Sequence, residues 1–415
     1  MVRENGLIEI KPFAFVDLSC FHCGIIDTQG CSLLFQGIHT LAVLSCEICR
    51  KSSYHTLPVG HDLLFPISFD ETGKKVKGDY QAMEWLVKPL INSMFKNARV
   101  EITIEREVII EEKREAIILN CIDNCFGHTF SKLWNASVLT KKYPEKSVIV
   151  FLPKVMRWLV PEGVSEIWSF DSYFSNLEKY IVNLDSEVKQ NLLPRFEKVW
   201  MSKAYTHLDL SKVDLQAMLK TDRFDLNTFS TSPPQITFIL REDRCWHRYA
   251  FEFFLFKVFV KLKLSKKIFV LRQNYLVNKT IRLVKRELKE AKFSAVGLGK
   301  TGNLLSSIND QRKIKLTFLE EKDWCLLYSR SHIVVGIHGS NMLIPTALSA
   351  GFVEILPRHK IRHISEDTLM DYNSRYTHFL GRYVDHFASP RLISQHIVSM
   401  NRDFPYIRKN TEQPV

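Results

Sequence analysis

Two pairs of cysteines near the start of the chain have the spacing of a metal site. Cys20 and Cys23 form one Cys-x-x-Cys pair, and Cys46 and Cys49 form another. Each pair places two thiolates at the tip of a tight turn, and two such turns brought together make the tetrahedral cage of sulfurs that suits Zn²⁺. The cysteines therefore predict a zinc ribbon over residues 1–60 that depends on structural Zn²⁺ for its folding.

Two features of the predicted metal site stay open. The gap between the pairs is slightly longer than the commonest spacing, so Cys31 or His22 could replace one of the ligands. The alternative to a metal site is four free, buried cysteines. Only Arg50 and Lys51 add positive charge to the two turns, which argues against a ribbon that reads nucleic acid.

A short polar turn further along the chain could supply an acid or a base. Residues 123–128 hold a carboxylate, an amide and an imidazole between a predicted buried strand at 117–120 and a predicted helix at 129–140. In a parallel α/β sheet such a turn lies at the carboxyl end of a strand, where active sites form. Asp123 or His128 is therefore the candidate general base. His128 could equally be an ordinary helix residue that bonds to solvent.

Basic residues at two places in the second half of the chain could bind phosphate. Arg241 and Arg244 would lie at the carboxyl end of a strand, where a guanidinium group can bind two phosphate oxygens at once. A solvated charge cluster would have the same sequence. Residues 297–302 resemble the end of a phosphate-binding P-loop, with Ser294 where that motif needs glycine, and Lys300 could lie near phosphate.

The stretch from Ser331 to Pro357 predicts a complete strand, turn, helix and strand unit. Its first strand is a short β-branched run, and its helix is apolar and ends near Gly351. The start of a helix after such a turn attracts anions, so we expect a ligand that carries phosphate. The turn between strand and helix contains His338, Gly339, Ser340 and Asn341.

This stretch resembles the donor-side motif of glycosyltransferase family 61, a group of inverting enzymes of the two-domain GT-B type. The family pattern is a strand, then Gly-x-His-Gly-Ala-Gly, an apolar helix, and a strand that carries Glu and Pro. Here the motif reads Gly336-Ile337-His338-Gly339-Ser340-Asn341, with Glu354 and Pro357 following.

The resemblance implies roles for these residues. The nucleotide-sugar donor would bind the C-terminal domain, where His338 would orient its diphosphate and residues 339–341 would stabilise it together with the arginines. Glu354 would contact the nucleotide ribose. The family also carries a strand that ends in arginine near Arg241, and a histidine segment at the place of His128. The chain has no Asp-x-Asp pair, which fits transfer without a catalytic metal.

The elements that would position these residues alternate between strand and helix. This alternation predicts an α/β fold with two Rossmann-like domains facing a cleft, preceded by a small β zinc ribbon. The Ser-Thr-Ser-Pro-Pro run before residue 235 marks the boundary between the two domains. The predicted parts are a zinc ribbon at 1–60, a linker at 61–78, an N-terminal acceptor domain at 79–228, a C-terminal donor domain at 235–385, and a helix with a tail at 386–415.

Composition narrows the class of protein and its partners. The 415 residues carry a net charge of +12 with a pI near 9.1, which indicates an anionic partner such as a phosphorylated substrate, an acidic lipid surface or nucleic acid. No apolar run reaches the roughly eighteen residues that cross a bilayer. The start of the chain also lacks the apolar region of a signal peptide, so the sequence predicts a cytoplasmic protein. The basic segment 257–292 could contact the inner face of an anionic membrane.

With these features, the resemblance to family 61 implies an inverting, metal-independent hexosyl- or pentosyltransferase. It would move a sugar from a nucleotide-sugar donor to a hydroxyl of a glycan or lipid-linked glycan acceptor, and the family implies a role in surface polysaccharide biosynthesis. One alternative is a zinc-ribbon nucleic-acid-binding protein with a basic α/β platform, whose binding would weaken steeply with salt. A second alternative is a non-catalytic GT-B scaffold, which would bind neither ligand.

Overall fold

The chain forms two compact units, which are described separately. Unit 1 comprises Met1–Asp214 and unit 2 comprises Leu215–Val415. The computed structural model describes residues 6–11, 18–27, 31–96, 98–315, 317–366, 368–370 and 375–411. Parts of the predicted zinc ribbon (1–5, 12–17 and 28–30) and of the predicted tail (412–415) lie outside the described residues.

Unit 1 contains several small strands besides the six that form its main, mixed sheet. Its strands are β1 (Leu7–Lys11), β2 (Leu18–Ser19), β3 (Ile26–Asp27), β4 (Ser32–Phe35), β5 (Thr40–Ser45), β6 (Ser52–Thr56), β7 (Ser68–Asp70), β8 (Val76–Lys77), β9 (Arg99–Val100), β10 (Ile104–Val108), β11 (Glu115–Asn120), β12 (Ser147–Pro153), β13 (Glu166–Phe170), β14 (Tyr180–Ile181) and β15 (Lys198–Ser202). Its helices are α1 (Lys88–Phe95), α2 (Phe126–Lys142), α3 (Phe174–Leu177) and α4 (Leu184–Glu187). The large sheet has the order β1-β15-β11-β12-β13-β10, with parallel inner strands and antiparallel edges.

The inner strands of this sheet are buried on both faces. All seven residues of β12 are buried, and so are the residues of β11 from Ala116 to Asn120. A parallel strand covered on both faces needs a continuous apolar run rather than an alternating one, and Val148 to Leu152 is such a run. The carboxyl end of β11 then leads through a short turn into α2.

A second, antiparallel sheet of unit 1 has the order β4-β5-β6-β7-β8, and β2 and β3 form a separate hairpin. Residues 61–78, predicted as a linker, therefore contribute β7 and β8 to this sheet. Their glycine and charged residues form turns between strands, as at Gly73 with φ of 66°. Residues 1–60 also extend beyond a ribbon, because β1 pairs with β15 at the edge of the large sheet.

Unit 2 contains a fully parallel six-stranded sheet. Its order, β18-β17-β16-β19-β20-β21, is the 3-2-1-4-5-6 order of the Rossmann fold. Its strands are β16 (Gln235–Arg241), β17 (Lys292–Leu298), β18 (Ile308–Asp310), β19 (Ile333–Ile337), β20 (Gly351–Leu356) and β21 (Gly381–Asp385). Its helices are α5 (Leu215–Leu219), α6 (Ala250–Lys261), α7 (Lys267–Glu287), α8 (Phe318–Tyr328), α9 (Leu343–Leu348), α10 (Arg375–Leu380) and α11 (Pro390–Thr411).

The predicted fold class is confirmed, in that each unit holds a Rossmann-like sheet and unit 1 begins with cysteine-bearing β-structure. The division between the units falls after residue 214, so α5 belongs to unit 2 although the sequence places it before the domain boundary. Within the described residues, no helix is both long enough and apolar enough to cross a membrane.

Candidate active site

The four predicted zinc ligands converge in unit 1. The Sγ atoms of Cys20 and Cys49 are 3.6 Å apart, and those of Cys23 and Cys46 are 3.7 Å apart. All four sulfurs lie within 4.8 Å of one another. Zn–S bonds of about 2.3 Å put the sulfurs of a tetrahedral site roughly 3.8 Å apart, so the four thiols fit a zinc ion.

The two Cys-x-x-Cys turns have the same local structure. In the first, the N–H of Gly24 donates to the carbonyl of Cys20 at 2.9 Å; in the second, the N–H of Arg50 donates to the carbonyl of Cys46 at 2.8 Å. Gly24 and Arg50 both have positive φ, of 75° and 56°. The backbone N–H of His22 also points at Cys20 Sγ, at 3.4 Å, and favours its thiolate.

Neither of the alternative ligands takes part in this cluster. The Nε2 atom of His22 lies 3.2 Å from the carbonyl of Ser52 and 3.2 Å from a carboxylate oxygen of Glu71. Among the described residues the cluster consists of the four predicted cysteines, and Cys31 is not one of its members. The residues present therefore form a complete donor set for a tetrahedral metal.

The predicted acid–base residues meet at the carboxyl end of β11. The Nδ1 atom of His128, in the first turn of α2, lies 3.0 Å from Oδ1 of Asp123. One turn further along α2, Lys132 places its ammonium 2.8 Å from Oδ2 of Asp123 and 3.0 Å from the carbonyl of Ile122. Residues four apart share a face of a helix, so α2 directs both side chains at the same carboxylate.

Burial divides this group into a supporting part and an accessible part. Lys132 and Asp123 have side chains that are 2% and 3% exposed, whereas the side chain of His128 is 39% exposed. Burial alone would raise the pKa of Asp123, but Lys132 and His128 beside it hold that pKa well below its usual range. A charged Asp123 accepts the Nδ1–H of His128, which leaves Nε2 as the nitrogen that can take a proton.

A second histidine joins this group, and the sequence interpretation missed it. The rings of His61 and His128 are 4.4 Å apart between centroids, at an interplanar angle of 70°. His61 lies in the turn Gly60–Leu63, within the predicted linker. Gly60 has φ of 60°, and a side chain there would come within 2.8 Å of Cε of Lys132, so glycine permits the approach of this turn.

His61 is held neutral in this position. Burial first, and then the nearby charges of His128 and Lys132, lower the pKa of His61 to about 3. Its Nε2 atom is buried and has no hydrogen-bond partner among the described residues. No local pattern in the sequence marks His61, since the turn reaches α2 only through the folding of the small sheet.

His61, Asp123 and His128 could together hold a metal, because one ligand atom from each lies within 4.8 Å of the others. The ammonium of Lys132 opposes this use of the group. A divalent cation would share the carboxylate of Asp123 with a buried positive charge, which is electrostatically costly. Proton transfer needs no such sharing, so the electrostatics favour an acid–base role.

In unit 2 the predicted donor residues gather where the strand order reverses, between β16 and β19. Arg244, which follows β16, donates from Nη1 to the carbonyl of His338 at 3.1 Å and to Oδ1 of Asn341 at 3.2 Å. A side chain on Gly339 would come within 1.7 Å of this guanidinium. Gly339 also has φ of 148°, a backbone conformation that strains a larger residue, so glycine suits the turn that Arg244 crosses after β19. Ser340 is half-buried beside it.

The structure corrects the role implied for Glu354. Glu354 and His338 are completely buried and pair with each other through a carboxylate oxygen and Nδ1. The Nε2 atom of His338 lies 3.1 Å from the carbonyl of His363, which can only accept, so Nε2 donates. Glu354 thus lies in the interior of unit 2, away from the surface where a ribose would bind, and His338 links Glu354 to the segment 358–363.

Two other predicted donor residues are engaged differently from the prediction. Arg241 is paired through two nitrogens with Asp243, each at 2.7 Å. The loop that contains Lys300 wraps around Glu242, whose carboxylate accepts the N–H of Thr301 at 2.6 Å and its hydroxyl at 3.0 Å. A carboxylate therefore fills the loop that resembles a P-loop, and Lys300 points to solvent.

The helix after His338 is short. A 3-10 turn spans Ser340–Met342, and α9 begins only at Leu343 and has six residues. The N–H of Met342 is committed to the carbonyl of Gly339 at 2.7 Å. Stabilisation of an anion at this edge would therefore come from side-chain cations rather than from a long helix.

Such cations do surround the same edge: the predicted Arg244 is joined there by Lys257 and Lys360, which the sequence interpretation did not assign to the donor site. Burial lowers the pKa of His359. Three positive charges lower this pKa further, those of Lys360, Lys257 and Arg244. A cavity of about 680 Å³ lies near the ends of β16 and β17, and its charged lining residues are Arg241, Lys266, Lys267, Glu242 and Asp243, so cations outnumber carboxylates there by one. The carboxyl edge of this sheet is therefore positively charged.

No protein-family model matches the chain, and no curated protein sequence matches it. The solved structure of E. coli ADP-heptose LPS heptosyltransferase II is similar to 70% of this chain and to 99% of that chain, at 12% sequence identity and a TM-score of 0.37. A likeness of this size carries no conclusion about activity. The resemblance to family 61 stays a prediction from the 336–341 motif, and the function proposed below depends on the residues of this chain.

Proposed function

We propose that the chain is a glycosyltransferase that uses a nucleotide-sugar donor, binding the donor diphosphate on unit 2 and activating the acceptor hydroxyl on unit 1. The observation that carries this proposal is the link that Arg244 makes between the loops after β16 and β19. In sheets with this strand order, nucleotides bind at the point where the order reverses. The cations around His359 add the positive charge that a diphosphate needs.

Unit 1 supplies the second requirement of the reaction, a group that accepts the proton of the acceptor hydroxyl. The side chain of His128 is 39% exposed, and Asp123 fixes its tautomer through Nδ1. As the hydroxyl attacks the sugar, its proton would pass to Nε2 of His128, and the bond to the nucleoside diphosphate would break. This single displacement inverts the sugar carbon.

We propose that the transfer needs no catalytic metal. Arg244, Lys257 and Lys360 would neutralise the departing diphosphate in the place of a divalent cation. The proposed metal of the protein is a structural zinc ion held by the four cysteines of unit 1. The acceptor would be a glycan or lipid-linked glycan of a surface polysaccharide, as the motif resemblance implies.

A thermal-shift panel tests the nucleotide part of the proposal. The zinc-loaded protein is heated with UDP, GDP, CMP, ADP or a short oligonucleotide, at low and at moderate salt. A ligand at a hundredfold its dissociation constant stabilises the native state by about 2.7 kcal/mol, and we expect this from one nucleotide. Incubation of the matching nucleotide-sugar with candidate acceptors, followed by mass spectrometry, then tests the transfer itself.

Two variants show whether the shift comes from the proposed site. Arg244→Lys keeps a positive charge but loses the planar guanidinium, and we expect the nucleotide shift to disappear. Arg330→Ala changes an exposed arginine of the same unit and should leave the shift unchanged. A shift only with the oligonucleotide, abolished by salt, would instead support the nucleic-acid alternative.

A further inference from the structure

The hairpin of α6 and α7 exposes an unusual concentration of large apolar side chains. Phe251, Phe254, Leu262 and Ile268 are each between 60% and 66% exposed. Six more exposed apolar residues lie in the same stretch, namely Tyr249, Leu255, Val260, Leu264, Leu271 and Tyr275. We define residues 249–275 as the hairpin surface. An exposed apolar patch of this kind marks a binding surface.

These apolar residues are arranged in stripes along the helices. On α6, Phe251, Phe254, Leu255 and Leu262 follow helical spacing and lie on one face, whereas the buried Phe256 lies on the other and packs against Phe269 of α7. On α7, Ile268, Leu271 and Tyr275 continue the pattern three and four residues apart. The face of α6 that carries Phe251 and Phe254 is therefore apolar, although nothing within the described residues covers it.

The hairpin surface is also strongly positive. It contains one acidic residue, Glu252, which pairs with Arg272 at 3.0 Å and accepts the N–H groups of Arg248 and Tyr249 at the start of α6. Its basic residues are Lys257, Lys261, Lys263, Lys266, Lys267 and Arg272. Lys261 lies beside the apolar stripe of α6, whereas Nζ of Lys257 lies 4.4 Å from the ring centroid of Phe253 on the inner side of the helix. This mixture of aromatic and cationic side chains is typical of helices that lie in the interface of an anionic bilayer.

We propose that the hairpin surface binds peripherally to an anionic lipid membrane. The apolar stripe of α6 would enter the boundary between headgroups and acyl chains, while the long lysine side chains would reach back to the phosphates. A second copy of the chain is a poorer occupant, because the same six cations would face one another across the interface. The proposed membrane contact therefore involves α6 and the start of α7, rather than the whole basic segment 257–292 that the sequence predicted.

The position of α6 gives this binding a consequence for the site of unit 2. On the inner side of α6, Phe253 stacks against His359 at 6.5 Å and meets His386 edge-on at 4.6 Å, measured between ring centroids. The charge of Arg244 is one of those that lower the pKa of His359, so the two side chains belong to the same edge of the sheet. Binding through the outer face of α6 would therefore hold the positive edge of the sheet next to the lipid surface. Vesicle binding is measured without turnover, so it tests this inference separately from the proposed transfer.

Vesicle co-sedimentation tests the inference. The full chain is mixed with phosphatidylcholine vesicles that contain or lack phosphatidylglycerol, and bound protein is measured in the pellet over a range of lipid concentrations. We expect partitioning at least about tenfold stronger onto the anionic vesicles, weakened by salt. Equal partitioning onto both vesicles, or none, would overturn the proposal.

Matched variants separate the apolar from the charged contribution. Phe251→Ser/Phe254→Ser should lower partitioning by about tenfold or more, whereas Leu319→Ser/Tyr406→Ser, exposed on α8 and α11 of the same unit, should leave it unchanged. Lys261→Gln/Lys263→Gln/Lys267→Gln should weaken only the anionic binding. Lys74→Gln/Lys75→Gln, exposed in unit 1, serves as its control.

Two further measurements keep these variants interpretable. Near-ultraviolet circular dichroism shows whether each variant keeps the parent fold, and α6 variants that keep the fold and full vesicle binding would overturn the proposal. Analytical ultracentrifugation without lipid tests the alternative occupant, a second copy of the chain. Self-association of the parent chain that disappears in Phe251→Ser/Phe254→Ser would assign the hairpin surface to a second copy and refute the membrane.

Discussion

Each unit places a histidine–carboxylate pair near the carboxyl end of a parallel strand, but the two pairs differ in burial. In unit 1, Asp123 is buried and His128 is 39% exposed. In unit 2, His338 and Glu354 are both completely buried, and both ring nitrogens of His338 have partners within the protein. The same two functional groups can thus hold a proton acceptor towards solvent or hold two segments of chain together. The proposed proton transfer needs the exposed side chain of His128, whereas the buried pair of unit 2 fits a supporting role.

Metal removal should produce the largest difference between the two units. The hairpin of β5 and β6 carries Cys46 and Cys49 and leads directly to the turn of His61. Structural zinc contributes on the order of 10 kcal/mol to the folding of small zinc domains, so chelation should loosen the small sheet of unit 1 and leave the sheet of unit 2 intact. Hydrogen exchange measured by mass spectrometry should show lost protection in residues 31–82 and unchanged protection in 333–356.

Elemental analysis supplies the control for this prediction. The parent chain should contain one zinc per molecule, Cys46→Ser should lose it, and Cys31→Ser should keep it. Full zinc content in Cys46→Ser would contradict the four-cysteine site.

Removal of the exposed histidine should abolish chemistry without unfolding the protein. His128→Gln deletes the proton acceptor, and general bases contribute roughly 10²- to 10⁴-fold to rate, so transfer should fall by that factor. The assay is release of nucleoside diphosphate from the donor identified by thermal shift, in the presence of acceptor. The donor-induced shift should persist, since unit 2 is unchanged.

His378→Gln, which alters an exposed histidine of unit 2, should retain the parent rate. Transfer by His128→Gln at the parent rate would remove His128 from the reaction and leave Asp123 or another group as the base.

Replacement of the buried His338 should instead lower the stability of the protein. His338→Gln removes the imidazole that pairs with the buried carboxylate of Glu354, and breaking a buried pair costs about 3–5 kcal/mol of folding free energy. Urea denaturation should show this loss. Replacing both residues, in His338→Leu/Glu354→Leu, removes the charge together with its partner and should recover part of the stability. A double variant less stable than His338→Gln would contradict a purely supporting role for the pair.

The sequence pattern predicts the two sheets better than the contacts at their edges. Buried runs such as Val148–Leu152 mark inner parallel strands because both faces are covered, and this holds without knowledge of neighbours. Lys132 could have been predicted, since it lies four residues after His128 on the same helix. Glu354 also carried a signal, because a carboxylate between Val353 and Ile355 in a buried strand needs an internal partner.

His61 could not have been predicted in the same way. Its position depends on the pairing of β6 with β7 and on the close approach of Gly60 to Lys132, which are contacts between residues far apart in the chain. Local periodicity contains no information on such contacts. The cations around His359 have the same origin, because they come from separate segments of unit 2.

The smallest expected effect concerns His61 and the pH dependence of stability. The folded protein lowers the pKa of His61 to about 3, whereas an unfolded histidine titrates near pH 6.5, so the unfolded chain binds more protons between these values. The contribution of the neutral His61 to stability is fully present above about pH 6.5 and is lost as the pH falls towards 3.

In His61→Gln, the slope of unfolding free energy against pH between about pH 4 and pH 6 should decrease by up to about 1.4 kcal/mol per pH unit. Urea titrations at several pH values measure this slope, and His378→Gln should leave it unchanged. An unchanged slope in His61→Gln would mean that His61 titrates in the folded protein as it does in the unfolded chain, which would contradict a neutral His61 beside His128.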